Sequence, residues 1–137
     1  MIKVICGKKG VGKTRALVES ANDIVNSSLG DIVFISGRRR LMYDLNNRIR
    51  LTNLFEFPVD FSSSSTFLGF VCGIISANYD IKAVYIDDLA CIIDDVTDGL
   101  DEIFDGINKI SSKFNIDFYI SVEGDPNSMP DYVRAYY

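Results

Sequence analysis

The sequence predicts an α/β protein, a three-layer sandwich around a mainly parallel central sheet of four to five strands. Three observations carry this reading. Apolar runs of strand length alternate along the chain with longer segments at helical spacing. The strand-length runs are apolar almost throughout, as strands covered on both faces are. With 137 residues, 47% of them hydrophobic, the chain has material for one core and one domain, residues 1–137.

The elements follow in order. Ile2–Cys6 is a short apolar run ending at Gly7 and reads as a buried strand. Leu17, Val18, Ala21, Ile24 and Val25 recur at helical spacing after a glycine-rich turn, with Gly30 expected to close that helix. Asp31–Ser36 is a β-branched second strand stopped by Gly37. Met42, Leu45 and Ile49 give a weaker helical face in a basic stretch. Asn53–Phe61 is ambiguous, because Phe55 and Phe57 alternate around Glu56 as in a short edge strand ended by Pro58.

The Ser62–Ser65 run supplies an N-cap for a helix beginning near Phe67, with Phe70, Val71, Ile74 and Ile75 on the same face. Lys82–Asp87 is a third strand. Leu100, Ile103, Phe104, Ile107, Ile110 and Phe114 trace the clearest amphipathic helix, with Asp98, Asp101 and Glu102 at its positive end and Asn115 as its cap. Ile116–Val122 is a fourth strand. The remainder, Asp131–Tyr137, either forms a short last helix or lays Tyr132, Tyr136 and Tyr137 across an open sheet edge.

Composition excludes several classes. No apolar stretch reaches the ~20 residues that cross a bilayer, and the first residues lack the pattern of a secretory signal. Cys6, Cys72 and Cys91 form no CxxC pair, and there is no histidine. A zinc site and Ser-His or Cys-His catalysis are therefore excluded, and reduced thiols in a cytoplasmic protein are expected. The net charge of −5 is polarised, +6 over residues 1–50 and −11 over residues 51–137. Such poles can steer a polyanion or bring copies together.

Gly7-Lys8-Lys9-Gly10-Val11-Gly12-Lys13-Thr14 fits G-x-x-x-x-G-K-[ST] in full. The glycines permit a tight loop whose backbone N–H groups face phosphate oxygens, and the helix from about Lys13 adds its positive end. Gly7 through Arg15 is thus the expected nucleotide-binding segment. Lys13 is placed on the terminal phosphates, also as a catalytic residue, and the Thr14 hydroxyl on Mg²⁺. Ala83–Asp88 delivers Asp87 at the end of an apolar strand, where it is expected to hold the same ion. Asp88 is the candidate for activating water, one methylene shorter than glutamate, with a solvated acid or helix cap as the alternative.

Ser121 or Glu123, at the end of the fourth strand on the sheet's carboxyl edge, is a candidate to sense the terminal phosphate or orient water, with an ordinary polar strand end as the alternative. Arg38, Arg39 and Arg40 follow the second strand there, suited to a nucleic-acid backbone, a second phosphate-bearing substrate or a neighbouring subunit's nucleotide, or simply solvated. Asp94–Gly99 with Asp105 has some calcium-loop spacing. Val96 occupies a ligand position, so an acidic helix cap is the preferred reading.

At these motifs the chain resembles P-loop NTPases of the RecA-like branch. The resemblance implies the P-loop fold, ATP with Mg²⁺, and a further strand lying between the P-loop strand and the Asp87 strand. Many members place a catalytic glutamate just after the second strand, where this chain has Gly37-Arg38. The loop also resembles the deviant P-loop of the partitioning and septum-site ATPases, in which Lys8 would reach a partner's site, although Lys9 stands where that pattern has glycine.

The function expected is binding of ATP with slow Mg²⁺-dependent hydrolysis, in a subunit or nucleotide switch. The alternatives are a sensor that hydrolyses nothing and a small phosphotransferase. A second copy or a protein partner is expected at the open sheet edge, and no membrane span.

Overall fold

A computed structural model describes residues 1–37, 44–93 and 99–137. Arg38–Arg40, Met42 and Asp94–Asp98 lie outside the described residues. The elements are β1 (Ile2–Gly7), α1 (Lys13–Val25), β2 (Asp31–Ser36), β3 (Arg50–Asn53), α2 (Ser64–Ala77), β4 (Ile81–Asp87), α3 (Leu89–Ile92), α4 (Leu100–Phe114), β5 (Asp117–Glu123) and α5 (Asp131–Arg134). Among the described residues the five strands form one sheet in the order β1-β5-β4-β2-β3. Every pair in it is parallel. β5 thus separates the glycine-loop strand from the Asp87 strand, as the resemblance implies.

Alternate residues of each strand feed two cores, because successive side chains point to opposite faces. Ile32 and Phe34 of β2 join Tyr85 of β4 beneath Leu17, Ala21 and Val25 of α1. Val33 and Ile35 face the other way, joining Phe118 and Ile120 under Phe67 and Val71 of α2 and Ile103 and Ile107 of α4. Gly106 lets those two helices meet, since a Cβ there would lie 2.6 Å from a methyl of Leu68.

Four local expectations change. Gly30 does not close α1, which ends at Val25, with Ser27 and Ser28 N–H groups folded back on the Ile24 carbonyl. Gly30 serves close packing instead, for a Cβ there would stand 2.5 Å from the Asp80 carbonyl oxygen. Leu45 and Ile49 sit in a turn and not on a helix. The Asn22 side chain holds this turn by donating to the Asp44 carbonyl and accepting from Asn46 N–H. The short edge strand is Arg50–Asn53, before the Phe55/Phe57 alternation. Asn53 accepts from Phe55 N–H and starts a 3-10 turn over Leu54–Glu56, and Phe57 packs edge-on against Phe70. α2 starts at Ser64, three residues before Phe67, because Ser63 already caps Thr66 N–H.

The tail forms the short helix, and its backbone also reaches the edge of the sheet. Asp131–Arg134 is helical, and the Tyr136 carbonyl accepts Val4 N–H of edge strand β1 at 2.7 Å. Tyr136 stacks on Phe104 at 5.9 Å.

Candidate nucleotide site

The loop between β1 and α1 has the backbone its glycines suggest. Gly10 and Gly12 adopt φ of 86° and 89°, a region costly to residues with a Cβ. Gly7 is confined differently, as a Cβ there would lie 2.7 Å from the Val11 side chain. Gly12 leads directly into α1, whose first bond runs from Ala16 N–H to the Gly12 carbonyl. A 13-residue helix therefore ends on the loop with its positive pole. Lys13 is only 5% exposed, and its Nζ donates to the Lys8 carbonyl at 2.9 Å, lying back along the loop.

Seventy-three residues onward, β4 brings Asp87 to the same place. Thr14 Oγ1 donates to Asp87 Oδ1 at 2.9 Å, within reach of Oδ2 at 3.2 Å. A hydroxyl and a carboxylate are the kind of oxygen donors a hard divalent ion takes. Oxygen donors on rigid elements fit Mg²⁺, which takes one or two protein ligands and keeps several waters.

Asp87 is wholly buried and held from behind. Ser121 Oγ on β5 donates to Asp87 Oδ1 at 3.0 Å and accepts Asp88 N–H at 2.7 Å. This one hydroxyl ties the ends of β4 and β5 together. The residue anticipated as a phosphate sensor or a plain strand end is therefore a brace behind the carboxylate.

Asp88 is not a solvated acid. It is 1% exposed, has φ 59° and ψ 67°, and starts α3. Its Oδ2 accepts the Cys91 thiol at 2.8 Å. Left-handed backbone on a residue with a Cβ stores strain of ~1–3 kcal/mol, held here by the Ser121 bond and the α3 turn. Cys91 belongs to this arrangement, and its role was not legible, since a lone cysteine in a sequence carries no spacing signal.

The other loop residues divide. Lys8, Lys9 and Val11 are exposed on the loop. The Arg15 side chain leaves the loop and runs along α1 to Glu19 at 3.2 Å, so only its backbone belongs to the loop-helix junction. Glu123 lies in register with Gly7. Gly124, at φ 156°, donates its N–H to the Gly7 carbonyl at 3.0 Å and anchors the start of the loop to β5. Asp125, exposed nearby, has its carboxyl held below the usual range by the Asn127 N–H, then by Ser128, with Lys8 adding to the effect. No group of three or more His, Cys, Asp or Glu placed to hold a metal occurs among the described residues.

No family model and no curated protein matches the sequence. Among solved structures, the fold is similar to that of the flagellar accessory protein FlaH from Methanocaldococcus jannaschii, with a TM-score of 0.67 at 14% identity. The match covers 98% of this chain and 65% of that one, so the chain spans under two thirds of its structural neighbour. At this identity the likeness concerns the fold: helices on both faces of a parallel sheet. No helix among the described residues is long and apolar enough to cross a membrane.

Proposed function

We propose that the protein binds a nucleoside triphosphate, ATP by the RecA-like resemblance, together with Mg²⁺, and that it works as a slow ATPase or nucleotide switch. The observation that carries this reading is the contact between Thr14 and Asp87 at 2.9 Å beside Lys13. It joins two sequence motifs separated by 73 residues in one place, at the N-terminus of α1. The strand order, with β5 between β1 and β4, supports the RecA-like assignment.

In this reading the loop amides and the α1 terminus take the phosphate oxygens. Lys13 exchanges the Lys8 carbonyl for the terminal phosphates, a better partner for an ammonium group. Thr14 and Asp87 hold Mg²⁺, which supplies charge neutralisation on the phosphates. Ser121 keeps Asp87 aimed at that position.

Slow turnover follows from Asp88. A general base must reach the water it activates, and this carboxylate is buried against Cys91. The same burial favours the reading of a switch, in which binding matters more than hydrolysis. The partner roles raised for Arg38–Arg40 lie outside the described residues.

The test is titration with a fluorescent ATP analogue, with Mg²⁺ and with chelator, followed by a turnover assay on the same sample. Tight Mg²⁺-dependent binding is expected, weakened in Asp87→Asn far more with the ion than without it. Turnover well below the ~10 s⁻¹ of a typical enzyme is expected. Equal affinity of Asp87→Asn and the wild-type protein in Mg²⁺ removes Asp87 from the metal. No binding in either buffer removes the proposal.

A further inference from the structure

Helix α2 has an unusual composition for its position. Its fourteen residues contain no charged side chain. A surface helix normally carries charge away from the core, and one without it is normally buried all round. The inner face is buried as expected, through Phe67, Val71 and Ile75. The outer face presents Ser65, Gly69, Cys72, Gly73 and Ser76, all exposed. A Cβ at Gly69 or Gly73 would meet no atom of the described residues within 4 Å, so no packing among them requires glycine in mid-helix.

Beside this face runs a groove of about 780 Å³. Val33 of β2 and Thr52 of β3 are on its floor, and Gly69, Gly73 and Ile74 on the α2 wall. Val33 is itself buried, so the incompletely covered strand here is β3, whose Leu51 and Thr52 stay half-buried, although a sheet of this class is expected to be covered on both faces.

Exposed charges of opposite sign stand near the two ends of α2. α2 begins after the carboxyl end of β3 and ends at the start of β4, antiparallel to the strands. Exposed Glu56 and Asp60 precede its N-terminal end. Exposed Arg48 and Arg50 line the groove, Arg50 at the first residue of β3, toward the C-terminal end of α2. Neither arginine is in an ion pair among the described residues.

We propose that this face is a self-association surface, on which α2 packs antiparallel against α2 of a second copy across a two-fold axis. A two-fold contact must be complementary to itself. Here the uncharged small-residue faces meet each other without desolvating charge. Antiparallel packing carries the acidic end of each α2 to the arginine end of the other, matching the charges twice. The glycines allow the close helix approach that larger residues would block. The inference is independent of nucleotide binding.

Sedimentation of the full chain without nucleotide, from low to high micromolar concentration, tests it. A concentration-dependent dimer is expected. Gly73→Glu and Gly69→Lys, both at positions open in the monomer, should each raise the dissociation constant at least ~10-fold while circular dichroism stays native. Arg50→Glu or Asp60→Lys alone should weaken association by about fivefold, and the pair together should restore it. A short bismaleimide should cross-link the wild-type dimer and fail with Cys72→Ser. A monomer at every concentration overturns the proposal and leaves the face to a different protein. A dimer that tolerates both glycine variants overturns it as well.

Discussion

Replacing Ser121 by alanine tests whether the site is built as described. The hydroxyl is fully buried and makes two bonds, accepting Asp88 N–H at 2.7 Å and donating to Asp87 at 3.0 Å. Truncation removes one oxygen and little volume, so the cavity contribution is small. A hydrogen bond to a charged group is worth ~1.5–3 kcal/mol, and a buried N–H left without an acceptor costs ~1–3 kcal/mol. The two effects share one atom and do not add in full, which puts the expected loss at ~2–4 kcal/mol. With an m-value of ~2 kcal/mol/M, the urea midpoint should fall by ~1–2 M at unchanged slope. Ser128→Ala is the matched control, since its bond to Asp125 at 3.0 Å is exposed and contributes little. A midpoint shift in Ser121→Ala no larger than the control's would refute the account of Ser121 as the brace between β4 and β5.

Lys13→Ala should abolish tight triphosphate binding in the fluorescent-analogue titration, while the urea midpoint moves little, because the ammonium group's contact is a loop carbonyl and not the core. Full retention of affinity would remove the loop from nucleotide binding. The pH dependence of stability follows from Tyr85, which burial pushes up to about 12, against an opposing hydrogen bond from Ser20. The folded state keeps the phenol neutral where the unfolded chain ionises. Stability is therefore intact below pH ~10 and falls by about 2–3 kcal/mol as pH rises toward 12. Urea melts across that range measure it, and Tyr85→Phe should flatten the decline.

The sequence was most legible where one physical signal governed a whole element. α4 shows a helical apolar face from Leu100 to Phe114 with acids in its first turn, and it forms there. The four buried strands read as apolar runs because both their faces are covered. Reading failed where short-range side-chain bonds outweighed periodicity. Phe55 and Phe57 alternate like strand residues, but Asn53 turns the chain before them. Leu45 and Ile49 have helical spacing, but the Asn22 amide holds that segment as a turn. In the candidate site, Lys13, Thr14 and Asp87 were legible from motif spacing. The burial of Asp88 and its link to Cys91 were not, because they depend on a left-handed residue at the end of β4 that no pattern announces.

The placement of β1 explains how a chain of this size holds its loop. Among the described residues β1 lies at the edge of the sheet and pairs with β5 alone. An edge strand exposes unpaired backbone groups and is a weak mount for a loop whose geometry must be fixed. Two contacts compensate. At the loop end, Gly124 N–H bonds the Gly7 carbonyl and extends the β5 ladder past the last strand residue. On the open side, the Tyr136 carbonyl takes Val4 N–H, while Tyr136 and Tyr132 rest on Phe104 of α4. Tyr137 then donates to the Pro126 carbonyl, tying the tail to the turn that follows Gly124. The tail therefore supplies one backbone bond to the middle of β1 on its open side and is itself tied to the turn that follows Gly124. Because the same segment touches the edge strand and the turn beside Gly7, the rigidity of the loop depends on residues more than a hundred positions away.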